Sequence, residues 1–188
     1  MATRNILKEG ERGLNKKSRK VTDFNARLHL LIDDMRETLI EANGLGLAAS
    51  QVGVLRRVVL IVDTEADVEY IDDQIIELVN PQLIEQTGEQ TGSEGCLSMP
   101  GVYGIVTRPD IVKITAQDRY GKTFELSASE LTARAVCHEL DHLDGVLFTS
   151  IADRLLSEEE IAEMNAQRYD DEESENPESL QQEEADRV

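Results

Sequence analysis

The stretch His138-Glu139-Leu140-Asp141-His142 sets the tightest limit on how this chain can fold. Residues four apart share one face of an α-helix, so both imidazoles can meet a single ion only if this segment is helical. The flanking residues agree. Ser127 or Ser129 can cap a helix running from Glu130 to about Leu143, and Asp144-Gly145 stops it. Glu139 stands beside the first histidine, where a carboxylate can reach an attacking water without being a ligand. The same stripe passes back through Ala135 and Leu131, which puts apolar surface next to the ion. A five-residue pattern also arises by chance on ordinary helices, so the reading needs support from elsewhere in the chain.

A catalytic ion of this type takes three protein ligands and keeps one position open for water, so a third ligand is required. One large class of zinc proteases places a histidine beyond a following glycine turn, but here that position is Phe148, which cannot bind metal. Another class uses a downstream glutamate. Glu158, Glu159, Glu160 and Glu163 are available, although acids in a first helical turn are also what the helix dipole favours. The third candidate is Cys96, in Glu94-Gly95-Cys96-Leu97-Ser98. A thiolate there suits a soft or borderline ion such as zinc or ferrous iron, and the plain alternative is a buried apolar thiol. Cys137 adjoins His138 and so points about 100° away around the helix, which marks it as core.

The rest of the chain frames this helix. Leu28, Leu31, Ile32, Met35 and Leu39 recur at helical spacing within Asp23–Asn43, with Thr22 or Asp23 as cap and Gly44 as stop. Gly44 to Gln51 reads as a glycine-containing loop or irregular strand, and Val58 to Val62 as a buried strand. Leu78–Val79, Leu83–Thr87, Ile111–Ala116 and Thr123–Leu126 read as short strands, the last two joined by a turn at Arg119–Lys122. Leu155 to Arg168 reads as a third helix. The pattern predicts an α+β fold in a single domain, the metal-binding helix packed against antiparallel or mixed sheets between an N-terminal and a C-terminal helix. Residues 1–168 are the expected catalytic domain, and 169–188 an acidic disordered tail.

Charge limits the partners. The chain carries 19 basic and 38 acidic side chains, a net of -19, which argues against sequence-independent nucleic-acid binding. From Ser157 onward the net charge is -11, whereas Met1 to Lys20 is locally +5 and reads as a solvated arm. No apolar run approaches the roughly 20 residues that span a bilayer, and no secretory signal opens the chain. A reducing cytoplasmic setting with two free thiols is expected, and no membrane or specific nucleic-acid partner.

Gly44-Leu-Gly-Leu-Ala-Ala-Ser-Gln51, Glu94-Gly-Cys-Leu-Ser98 and His138-Glu-Leu-Asp-His142, in that order, resemble the three signature motifs of the peptide deformylases, over about Ile6 to Asp153. The resemblance implies a hydrolase that removes the formyl group from the N-formylmethionine of new polypeptides near the ribosome. It implies Cys96, His138 and His142 as ligands of one Fe(2+), with Zn(2+), Ni(2+) or Co(2+) as alternatives. It implies Glu139 as the proton carrier, and Gln51 with the Leu97 backbone as oxyanion donors. Leu45, Gly46, Gly95, Leu131 and Ala135 are the implied substrate contacts. Ser50 stands where proline is frequent, and Tyr103 where some members have a substrate-contacting arginine. The acidic C-terminal segment differs from the basic helix that some members dock on the ribosome. Two other readings compete: an endopeptidase with a glutamate ligand, and a peptide-binding module without turnover.

Overall fold

The computed structural model describes residues 2–66, 68 and 70–175, with side chains as far as 166. Contacts divide the chain into Met1–Arg154 and Leu155–Val188, and the first unit holds the five-stranded sheet and the motifs. The first helix, α1 (Ala26–Glu41), buries Leu28, Leu31, Ile32, Met35 and Leu39, as their spacing requires. Its cap is Asn25, not Thr22 or Asp23. The Asn25 side chain accepts from the N–H groups of Arg27 and Leu28, donors with no partner inside the helix. At the far end the left-handed residue is Asn43, with φ 49°, rather than Gly44.

A short strand β1 (Gly46–Ala48) leads through a 3-10 turn at Ala49–Val52 to β2 (Val58–Val62). After a single helical turn, α2 (Ile71–Gln74), the two short strands expected at Leu78–Val79 and Leu83–Thr87 are one strand, β3 (Ile75–Thr87). The apparent break is a register shift between Val79 and Gln82, where Asn80 takes φ 53° and Pro81 has no N–H to give the ladder. β4 (Gln90–Cys96) and β5 (Met99–Arg108) have no counterpart in the sequence reading, while β6 (Ile111–Gln117) and β7 (Thr123–Ser129) form the expected hairpin.

The sheets are antiparallel. The larger has five strands in the order β1-β2-β3-β6-β7, which leaves β1 at an edge. β4 and β5 pair in a second sheet. Every residue of β2 is buried, because both faces of the large sheet are covered. Val58, Leu60 and Val62 pack with α1, while Val59 and Ile61 share a cluster with Ala133, Val136 and Leu143 of α3 (Glu130–Asp144). This is the α+β arrangement that the patterning predicts, with the histidine-bearing helix lying against the sheet.

Ser129 occupies the cap position of α3, yet its hydroxyl donates to Glu65 Oε1 (2.6 Å) instead of capping. Gly145, at φ 76°, ends the helix. In the second unit, α4 (Glu158–Glu175) begins after Leu155 and runs past Arg168. Ser157 and Glu160 close a reciprocal capping box there: the Ser157 N–H donates to Glu160 Oε2 (2.9 Å), and the Glu160 N–H to Ser157 Oγ (3.3 Å). The first residues of the expected disordered tail are thus helical, and 176–188 lie outside the described residues. Among the described residues, no helix is long and apolar enough to cross a membrane.

Candidate active site

Cys96 is the last residue of β4, at the point where pairing with β5 slips: Gly95 faces Tyr103, and Cys96 faces Met99. The unpaired residues, Pro100 to Val102, lie on β5, so β4 keeps its alternation and Cys96 falls on the face that also carries Glu94 toward α3. Cys96 Sγ, one nitrogen of His138 and one of His142 all lie within 4.8 Å of one another. The Sγ to His142 Nε2 distance is 3.2 Å. A sulfur and an imidazole nitrogen on one tetrahedral ion would stand about 3.6 Å apart, from bonds of about 2.3 and 2.1 Å. The three residues could therefore hold a mononuclear centre with small shifts of their side chains.

Each imidazole is prepared differently. Burial, then the charges of His138 and Arg108, pushes His142 down to about 3, so its ring is neutral and presents a lone pair. Burial also opposes a charge on His138, but contacts with Cys96 and Glu94 outweigh it and carry the ring up to about 10. An ion must displace that proton, the usual coupling of metal capture to proton release. His138 Nδ1 donates to Glu94 Oε2 (3.0 Å), which turns its other nitrogen to the ligand cluster.

Glu94 is the hub of the support. Burial would raise it, yet the bonds to His138 and Arg108 and their charges hold it down at about 2. Arg108 donates through Nε to Oε1 (2.8 Å) and through Nη2 to Oε2 (3.0 Å), and its Nη1 reaches Asp141 Oδ2 (2.6 Å). The sequence offers an Arg108–Glu94 pair bracing the Cys96 loop, with a weak surface ion pair as the alternative. Both side chains are in fact buried, where removing one partner strands a charge. Arg134 Nη1 adds a further donor to Glu94 Oε1 (2.9 Å). The sequence reading missed Arg134, and the available sign was its place one helical turn before His138.

Glu139 is almost fully buried, and burial pushes its carboxyl up to about 7. Its Oε2 has no protein partner, so one oxygen is free to meet substrate or water. A Cβ added at Gly46 would fall 2.7 Å from Glu139 Oε1, so only glycine lets the edge strand lie against the carboxylate. Gln51 is locked by its neighbours: its Oε1 accepts from the Ala48 N–H (2.7 Å), while Nε2 donates to Ser98 Oγ (3.3 Å) and to Cys96 Sγ (3.6 Å).

The remaining expected residues divide. Ala135 is buried and Leu131 is exposed, one turn apart on α3. Leu45 is exposed, and its carbonyl accepts from the Val62 N–H (2.9 Å). The Leu97 carbonyl accepts from Lys8 Nζ (2.8 Å), and its side chain packs on the α1 cluster. Gly95 is exposed on β4 beside Tyr103. Ser50, also unassigned by the sequence, donates to the His142 carbonyl (3.1 Å) and ties the 3-10 turn to the ligand helix.

A thiol, two imidazoles, a buried carboxylate and an amide gathered beside an open sheet edge are the equipment of a metal-assisted hydrolase. The comparisons with known proteins narrow that class: the polypeptide deformylase family model matches residues 3–158, and the chain belongs to this family. It is 47% identical over 175 residues to the peptide deformylase of Lachnoclostridium phytofermentans, covering 93% of this chain and 100% of that one. It is 51% identical over 161 residues to the Caldicellulosiruptor bescii peptide deformylase, 86% of this chain and 92% of that one. The crystal structure of a peptide deformylase from Legionella pneumophila superposes with a TM-score of 0.73 at 35% identity, covering 94% and 100% of the two chains.

Proposed function

We propose that this chain hydrolyses the formamide at the N-formylmethionyl end of newly made polypeptides, releasing formate, with Cys96, His138 and His142 as the ligands of one ion. The convergence of these three donors beside Glu139 carries the reading. Fe(2+) is the proposed ion, because one thiolate and two imidazoles suit a borderline divalent metal; Zn(2+), Ni(2+) and Co(2+) fit the same set. Such an ion supplies Lewis acidity to the formyl carbonyl and to water.

The chain's own groups do the rest. Glu139 takes a proton from the water that adds to the formyl carbon, then returns it to the amine nitrogen as the C–N bond breaks. A carboxyl held near 7 can make both transfers at neutral pH. The Gln51 Nε2–H, on leaving its long 3.6 Å contact with Cys96 Sγ, and the Leu97 backbone N–H are the proposed donors to the oxyanion, each contributing about 3 kcal/mol. β1 is an edge strand, so Leu45 and Gly46 can pair with an extended peptide and bring its end to Glu139. Leu131 and Ala135 form an apolar wall for the methionine side chain, and Gly95 leaves the opposite side open. The proposed setting is cytoplasmic, near the ribosome and its emerging chains.

Protein purified without oxygen and loaded with Fe(2+) should release formate from formyl-Met-Ala-Ser. Glu139→Ala should abolish turnover and keep the metal. Cys96→Ala should lose the metal; retention would favour an endopeptidase with a glutamate ligand, and formate-free binding of the peptide a non-catalytic module.

A further inference from the structure

Arg134 stands one turn before His138 on α3, and its buried guanidinium reaches across to both strands of the β4–β5 hairpin. It donates to Glu94 Oε1 (2.9 Å), to the carbonyls of Val106 (3.0 Å) and Gly92 (3.4 Å), and to that of Gln90 (3.2 Å). Gln90, Gly92 and Glu94 are alternate residues of β4, and Cys96 is the next in that series. A Cβ at Gly92 would approach Arg134 Nη2 to 3.3 Å, so a side chain there would crowd the guanidinium. Arg134 thus measures the gap between the strand that ends in the sulfur and the helix that carries both imidazoles.

We infer that Arg134 is a positioning residue of the metal centre, fixing the separation of Cys96 from the His138–His142 face and the orientation of Glu94 on His138. This rests on the reading of those three residues as ligands. The Glu94 carboxylate has four acceptor positions, and His138, Arg108 twice and Arg134 fill them. Without Arg134, Glu94 Oε1 loses one of its two donors, and the carbonyls of Gln90, Gly92 and Val106 each lose one. The hairpin can then move against the helix, and the sulfur moves with it. Only a planar fork with several donors can serve four acceptors on two strands.

The test uses the full chain loaded with Co(2+), whose sulfur-to-metal absorption and ligand-field bands report the geometry directly. Arg134→Met is expected to lose its ion to a chelator about 10- to 100-fold faster than the parent protein. Its cobalt bands should shift, and formate release should fall in kcat while KM for formyl-Met-Ala-Ser holds. Arg134→Lys should fall between the two, since an ammonium keeps the charge without the fork. A lowered Tm with parental cobalt bands and parental metal loss in Arg134→Met would reduce Arg134 to a packing role and overturn the proposal. Should Arg134→Met not fold, parental bands and metal loss in Arg134→Lys overturn it equally. A parent protein that shows the sulfur–cobalt band yet releases no formate would refute the deformylase reading and leave the Arg134 measurement intact.

Discussion

Gly46 and Glu139 are in contact: a methyl group on the glycine would fall 2.7 Å from both Cγ and Oε1 of the glutamate. The proposed proton carrier is therefore set against the sheet edge proposed to bind substrate. Gly46→Ala should force the carboxylate aside and leave the three ligands alone. A displacement near 1 Å costs on the order of 100-fold in rate. Formate release should drop by about that factor while metal content, measured by atomic absorption, stays at the parental level.

Glu94 gives the pH prediction. Its carboxyl sits at about 2 in the folded protein against an ordinary 4.5, so the stability that it contributes is complete above 4.5 and lost as pH falls toward 2. Glu94→Gln leaves the Arg108 and Arg134 guanidinium groups facing a neutral amide, a loss of about 3–5 kcal/mol. Urea unfolding of metal-free protein should show that deficit near pH 6, and the gap between variant and parent should narrow below pH 4.5. A gap that widens toward acid would contradict the assignment.

The two thiols should react differently. Burial pushes the Cys137 thiol up to about 11, so it stays protonated and shielded at pH 8. Native metal-free protein should take up one equivalent of a thiol reagent, at Cys96, and denatured protein two. Mass spectrometry of the labelled peptides reads the outcome directly, and labelling at Cys137 in the native state would refute it.

Phe148 occupies the position at which one class of zinc proteases has its third ligand, and it packs on His138 with ring centroids 5.9 Å apart. Its side chain is fully buried with Leu14, Met99, Val106 and Leu147. Phe148→Ala should cost about 3–5 kcal/mol by leaving a cavity. Thermal unfolding measures that loss, and because the cavity adjoins a ligand ring, metal release should also quicken.

α1 and α3 could be read from residues repeating at the helical period, and β2 from an unbroken β-branched run that is buried on both faces. The histidine pair followed from helical spacing alone. β4 and β5 could not be read. Gln90–Cys96 contains two glycines and almost no apolar residue, and Met99–Arg108 mixes proline and two glycines into its run. What orders these strands is their pairing with each other and the buried charges on Glu94, Arg108 and Arg134, and no periodicity announces a buried salt bridge. The Asn25 cap was obscured by Thr22 and Asp23, which are equally good cap residues. The break that split β3 was real chemistry, a proline and a left-handed asparagine, but the sheet absorbs it as a bulge. Cys96 stood among three candidate third ligands on residue chemistry and was singled out by the family's motifs, because its approach to the histidines depends on a hairpin that no periodicity marks.

The sulfur and the His142 nitrogen that meet at 3.2 Å come from positions 46 residues apart, one on a hairpin of the small sheet and one on a helix of the large. The three proposed ligands lie on two elements, so a copy in which hairpin and helix have not met offers an ion at most the histidine pair of α3. Under the proposed function, the full ligand set forms only where the hairpin has closed onto the helix, so tight metal binding would report that closure.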